Sequence, residues 1–254
     1  MTQIMEDISK CAVCGKGNQV LIMTSCSHFG ACDLDTRPPA MYPFTLFVQR
    51  CEHCGYVNTD IAVGNSSIKD FLNSEMYKTC DGINPESTEA RDYIQYALVQ
   101  SYMMVHKGLF EFVDNDEEFS QENIFWGFLN AAWACDDAAG CEPDEEDGDQ
   151  YDPKKCEQDA IECRKRCLDL INRLIVQQED IEERETLSGI KADLLRRTGQ
   201  FDAVIVEYEN KSFKNPYVDQ VVRFEIDLAK AKDTKCYSMD HIDPVKYPLK
   251  GNQE

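Results

Sequence analysis

The chain has 254 residues, enough for one large or two modest domains, and its 43% hydrophobic and 10% aromatic content excludes disorder as the default state. Its 26 lysines and arginines against 47 aspartates and glutamates leave a net charge of −21, a field that repels phosphate backbones and anionic lipid surfaces. No run approaches the roughly 20 apolar residues of a membrane span, and a start carrying Glu6 and Asp7 without an apolar stretch predicts no secretory leader.

The first elements are two knuckles, Cys11-Ala-Val-Cys14-Gly15 and Cys51-Glu-His-Cys54-Gly55. A two-residue gap lets both sulfurs face one ion, and the following glycine permits the positive φ that closes such a turn. Together they supply Cys11, Cys14, Cys51 and Cys54, the four-thiolate set of a closed, structural zinc site; iron in a rubredoxin-like site is the minor alternative. Val20-Leu-Ile-Met23 and Phe44-Thr-Leu-Phe-Val48 are short β-prone runs, each beside a knuckle, which is how a zinc ribbon is built. The gap between Cys14 and Cys51 exceeds the roughly 15–20 residues of compact ribbons, so a loop is inserted.

That loop holds Asp33, Asp35 and Arg37 ahead of Pro38 and Pro39. Alternation in an extended segment predicts the three on one side, where an arginine between two carboxylates latches the loop to the ribbon. Their other reading is a small binding or catalytic site. Cys26, His28 and Cys32 match no established metal-ligand spacing, and the two cysteines read as small packing residues; the other reading is that the three hold a second ion or replace a knuckle ligand. Four basic and six acidic side chains in residues 1–64 give a local net of −2, leaving −19 for the rest. The ribbon therefore has no basic face for nucleic acid.

After residue 85 the periodicity is helical. Stripes run Ile94 to Val105, Ile124 to Trp133, Cys156 to Leu174, Leu187 to Leu195, Phe201 to Tyr208 and Val218 to Leu228. Ser120 is placed as an N-cap, Pro153 at a helix start and Pro216 in a first turn. Cys156, Cys163 and Cys167 share one face with Ala160 and Leu170, a core pattern rather than a redox relay. The acidic run Glu142 to Asp152 fails as a calcium loop, because Pro143 and Lys154 fall where an EF-hand needs acids. Leu194-Leu-Arg-Arg-Thr-Gly-Gln-Phe-Asp202, then Tyr208 and Pro216, has the order of a tetratricopeptide unit. The predicted fold is α+β: a zinc ribbon at 1–64, then an all-α, tetratricopeptide-like helical-hairpin domain at 65–254.

Gly30-Ala-Cys-Asp-Leu-Asp-Thr-Arg-Pro-Pro39 with Tyr42-Pro-Phe and Val48-Gln-Arg-Cys-Glu-His-Cys-Gly-Tyr56 resembles a bacterial domain-of-unknown-function family, the one numbered 2225. The resemblance covers about residues 8–62. Many members carry proline after the first cysteine of each knuckle, where Ala12 and Glu52 stand here. It implies a zinc ribbon with a helical scaffold, bacterial cytoplasm and no established activity. Thirteen cysteines, odd in number in a long chain, also predict reduced cytoplasmic thiols rather than a disulfide framework. The resulting expectation is a zinc-stabilised scaffold for a protein or peptide partner, a basic or at least uncharged segment, with neither nucleic acid nor membrane as ligand. The rival is a hydrolytic or redox enzyme using Asp33, Asp35 and Arg37 or the surplus cysteines.

Overall fold

The computed structural model describes residues 2–27, 29–39, 46–106, 119–140 and 151–249. The fold is α+β, mainly helical, with small two-stranded sheets near the start of the chain. It divides into two units: Met1–Ser27 with Pro43–Cys163, and His28–Tyr42 with Arg164–Glu254. This grouping differs from a cut at residue 64. The inserted loop belongs with the C-terminal helices, and the ribbon belongs with the helices that follow it.

In the first unit, β1 (Gln3–Lys10) and β2 (Gly17–Ser25) form an antiparallel hairpin in which Lys10 faces Gly17 and Ile4 faces Met23. One face of β2 buries Asn18 and Val20, while Leu21 on the other is exposed. β3 (Gln49–Arg50) pairs with β4 (Val57–Asn58) around the second knuckle. Residues 44 and 45 of the predicted strand lie outside the described residues, and the strand itself falls just after that run.

Two four-residue helices, α1 (Lys69–Leu72) and α2 (Glu75–Lys78), lead to α3 (Thr88–Val105) and α4 (Gln121–Gly140). Ser87 caps α3 by accepting from Ala90 N at 3.2 Å, and Ser120 accepts from Asn123 N at 3.1 Å at the start of α4. The two long helices approach closely where Gly127 meets Ala97; a Cβ there would stand 2.9 Å from the alanine methyl. Val105 ends the predicted α3 stripe but is exposed. α5 (Pro153–Gln177) follows, and the division between the units falls inside it. Cys156 and Cys163 of α5 and Cys135 of α4 are all buried in the first unit.

The second unit holds α6 (Ile181–Arg197), α7 (Phe201–Tyr208) and α8 (Pro216–Lys230). Gly199 ends α6 at φ +76°, and its N–H bonds Arg196 O at 2.9 Å, closing the Gly-x-Phe-Asp turn into α7. Asn215 caps α8 with Pro216 in the first turn. Leu195, Val204, Tyr208, Val218 and Val222 form the core among the three helices. The other face of α8 is covered within the unit: Val221 and Leu228 pack against Leu34, Ile242 and Tyr247. Gln220 Nε2 and Arg223 Nη2 donate to the carbonyls of Tyr247 and Pro248, each at 2.6 Å.

Candidate metal centre

The two knuckles fold almost identically. Cys11 N–H bonds Lys16 O at 2.9 Å, and Cys51 N–H bonds Tyr56 O at 2.8 Å. Gly15 and Gly55, at φ +73° and +74°, return their N–H groups to the carbonyls of Cys11 and Cys51 at 2.8 and 2.9 Å. A Cβ at either position would force a left-handed conformation that side chains rarely adopt. The knuckles are tied directly to each other. Glu52 N donates to Asn18 Oδ1 at 3.0 Å, and the His53 ring lies 3.2 Å from Gly17 O.

This pairing brings the sulfurs of Cys11, Cys14, Cys51 and Cys54 within 4.8 Å of one another, the one such metal-ligand group among the described residues. Cys11 Sγ is 3.7 Å from Cys54 Sγ, and Cys14 Sγ is 3.6 Å from Cys51 Sγ. A regular tetrahedron with metal–sulfur bonds of about 2.3 Å has edges of about 3.8 Å, so the four sulfurs fit a tetrahedral ion. Cys11 and Cys51 are buried, Cys14 and Cys54 half-buried.

The thiols have uneven acidities. Burial opposes ionisation of Cys51, but N–H groups of Cys54 and His53 and the neighbouring thiols outweigh it and lower that thiol to about 7. Cys54 is pushed far up, by burial and then by the sulfurs of Cys51 and Cys11. One thiolate forms readily at Cys51, while Cys11 and Cys54 resist ionising beside it; a bound cation removes that resistance.

The centre is also wired to the helices behind it. Arg50, next to Cys51, donates from Nε to Asp92 Oδ1 at 2.7 Å, to Gln95 Oε1, and from Nη1 to Gly55 O at 3.3 Å. Tyr77 OH reaches the same Gly55 carbonyl at 2.6 Å. A second polar chain runs from Val63 O through Asn58 to Gln100, whose amide donates to Asn58 Oδ1 at 3.1 Å. Asn58, Gln95 and Gln100 are all buried, so each depends on these partners.

Asp33, Asp35 and Arg37 come together, but not along an extended segment. Thr36 N bonds Asp33 O at 2.9 Å, Asp33 N bonds Arg37 O at 3.0 Å, and Asp35 Oδ1 accepts from Arg37 N at 3.2 Å. These bonds close a tight turn with Thr36 at φ +70°. Asp35 is buried and Asp33 half-buried. The turn is fastened to the C-terminal segment: Leu34 N bonds Tyr237 O at 3.0 Å, and Met239 N bonds Cys32 O at 2.9 Å. A β-bridge joins Asp33 to Ser238.

Burial raises the Asp33 carboxyl, against the pull of the Cys236 thiol at 3.4 Å and of Arg37 and Arg197. Cys236 itself rises to about 12, first by desolvation of its sulfur and then, against Arg197, by Asp33 and Asp35. A thiol held protonated in this way is a poor nucleophile at neutral pH. Ser238 Oγ and His241 Nδ1, 2.9 Å apart, form a pair that the sequence reading did not single out. It lies within a single exposed turn that also caps Ser238 N at 3.1 Å, the work of a local cap. His28 and most of the acidic run 142–152 lie outside the described residues, and Cys26 bonds only Thr2 and Ser27 O among the contacts seen.

Among the described residues no helix is long and apolar enough to cross a membrane. No family model matches this chain, nor does any curated protein or solved structure.

Proposed function

We propose that the chain is a zinc-stabilised scaffold that binds a protein or peptide partner rather than an enzyme. The observation that carries this reading is the closed tetrad. Four protein thiolates fill the tetrahedral positions, leaving none for a substrate, and the backbone around them is built as two rigid knuckles. The ion is zinc, held by Cys11, Cys14, Cys51 and Cys54, and its place is the reducing bacterial cytoplasm that the resemblance to the family numbered 2225 implies. The α6–α7–α8 unit is read as tetratricopeptide-like on its Gly-x-Phe-Asp turn, Tyr208 and Pro216.

The acidity of the helical part favours a basic or uncharged segment over nucleic acid or membrane. The α8 face covered by Ile242 and Tyr247 is not its seat. Asp33, Asp35 and Arg37 act here as a latch between the inserted loop and the C-terminal segment. Two measurements test the reading. Metal analysis should find one zinc per chain, lost in Cys51→Ser and retained in Cys26→Ser and Cys32→Ser. Affinity capture from the native host at low and high salt should retain a partner more strongly at low salt, confirmed by direct titration. Retained zinc in Cys51→Ser, or no partner at either salt, defeats the corresponding half.

A further inference from the structure

β1 pairs with β2 alone among the described residues, and the hydrogen-bonding groups along its other edge can be assigned. Cys11 N–H bonds Lys16 O, so the neighbouring Lys10–Gly17 pair is of the non-hydrogen-bonded kind. Alternation then turns the N–H and C=O groups of Ile4, Glu6, Ile8 and Lys10 away from β2. The Ile8 amide confirms this direction: it is met by the carboxylate of Asp7, at 2.7 Å, rather than by another strand. The edge is also apolar. Ile8 is 79% exposed, and Ile4 and Leu21 lie on the same outer face at 49% and 45%. A two-stranded ribbon is marginal alone, and an apolar edge of this length is a template for another strand.

We propose that the strand added there is β1 of a second copy of this chain, making a four-stranded sheet across a two-fold axis at Ile8. Charge complementarity selects the occupant and the register. Outward groups must meet outward groups, so only even-numbered residues can oppose one another in hydrogen-bonded pairs. One register sets Ile8 against the partner's Ile8, Glu6 against the partner's Lys10, and Lys10 against the partner's Glu6.

A shift of two residues either way places Ile8 against Glu6 or Lys10, and a shift of four towards the start of the strand sets Glu6 against the partner's Glu6. Only the first register joins apolar to apolar and acid to base. It also faces Asp7 with the partner's Ser9, whose hydroxyl replaces the Ile8 amide as donor to the carboxylate. About six backbone hydrogen bonds form. The interface lies at the small end, below about 1,200 Å², so association is micromolar and reversible. This goes beyond the scaffold reading and does not depend on it.

Sedimentation of the metal-loaded full chain tests the proposal. Near 100 µM, well above a micromolar dissociation constant, the species should approach twice the 29.1 kDa of one chain. Glu6→Lys opposes lysine to Lys10 at both ends and should raise the dissociation constant at least about tenfold. The exchange Glu6→Lys with Lys10→Glu should restore it to within about threefold. Ile8→Lys should be monomeric. Glu6, Ile8 and Lys10 are all exposed, and metal content with circular dichroism verifies the fold of each variant. A wild-type chain that stays at 29.1 kDa, a Glu6→Lys chain that dimerises equally well, or a charge exchange that fails to rescue overturns the proposal.

Discussion

Arg196→Met should be among the most damaging single substitutions in the second unit, because every donor of this buried guanidinium is used. Nε and Nη2 both bond Glu225, Nη2 also bonds Asp193 Oδ1 at 2.7 Å, and Nη1 bonds the carbonyls of Asp233 and Lys235 at 3.0 and 2.7 Å. Arg196 and Glu225 are 0% exposed and Asp193 2%. Methionine fills the space but leaves two carboxylates and two carbonyls without their donor. Breaking a buried pair from one side costs about 3–5 kcal/mol. At a urea slope of about 2 kcal/mol per molar, the far-UV dichroism midpoint should fall by about 2 M. Adding Glu225→Gln should return about 1–2 kcal/mol, since it removes the stranded charge.

A pH series supplies a second arm. Burial, then Asp193, raises the Glu225 carboxyl, and Arg196 only partly offsets them; two acids share one guanidinium. The folded state thus binds this proton more tightly than the unfolded chain. That stability is full below the ordinary value of 4.5 and is lost as pH rises through the raised one. Without Arg196 the offset disappears, the carboxyl rises further, and the decline should run on to higher pH. A loss under about 1 kcal/mol, or a double variant no more stable than the single, would refute the assignment.

Arg50→Met should cost about 1–2 kcal/mol, mostly from stranding the buried Gln95 amide, since Asp92 can rehydrate. It should also speed zinc transfer to a chelator while the stoichiometry stays at one; an unchanged transfer rate would show that Arg50 does not steady the second knuckle. Thr36→Gly should raise stability by about 0.5–1 kcal/mol, because a β-branched residue held at φ +70° gains more from relief than the added chain entropy takes away. A lower thermal midpoint for this variant would mean that the threonine side chain makes a contact worth its strain.

Much of the local structure was legible because it depends on neighbours in sequence. Each of the six apolar stripes lies on a helix, and Ser120, Pro153 and Pro216 stand where capping and first-turn rules put them. The knuckles were legible for the same reason: a two-residue gap and a glycine encode the whole turn. α1 and α2 were missed because four residues are too few to show a period. Thr36 gave no signal, as it stands where a turn of this kind favours glycine. Cys135 was overlooked beside the cysteines of α5, since it sits on α4, past the end of the stripe Ile124 to Trp133. The tie of the inserted loop to the C-terminal segment was not foreseen, because Leu34 and Tyr237 are some two hundred positions apart and no local pattern announces that pairing.

The energetics also say what a metal at the tetrad would do for the fold. The ribbon's own core is small, built on Val13, Val20, Tyr56, Val57 and Ile61. A four-thiolate zinc site is worth about 10–16 kcal/mol, as much as the whole stability of a typical domain, about 5–15 kcal/mol. With zinc at the tetrad, as proposed, such a ribbon should hold its shape only while the ion is bound. Arg50, Tyr77 and Gly55 then carry that rigidity into the helices, because the carbonyl that accepts from both side chains belongs to the glycine closing the second knuckle. Chelation should therefore loosen more than the ribbon: amide exchange in α2 and in the first turns of α3 should rise with it, at Tyr77 and Gln95 before the far end of α3. Uniform protection of α3 after metal removal would mean that the helices stand without the ribbon, and that the ion stabilises the knuckles alone.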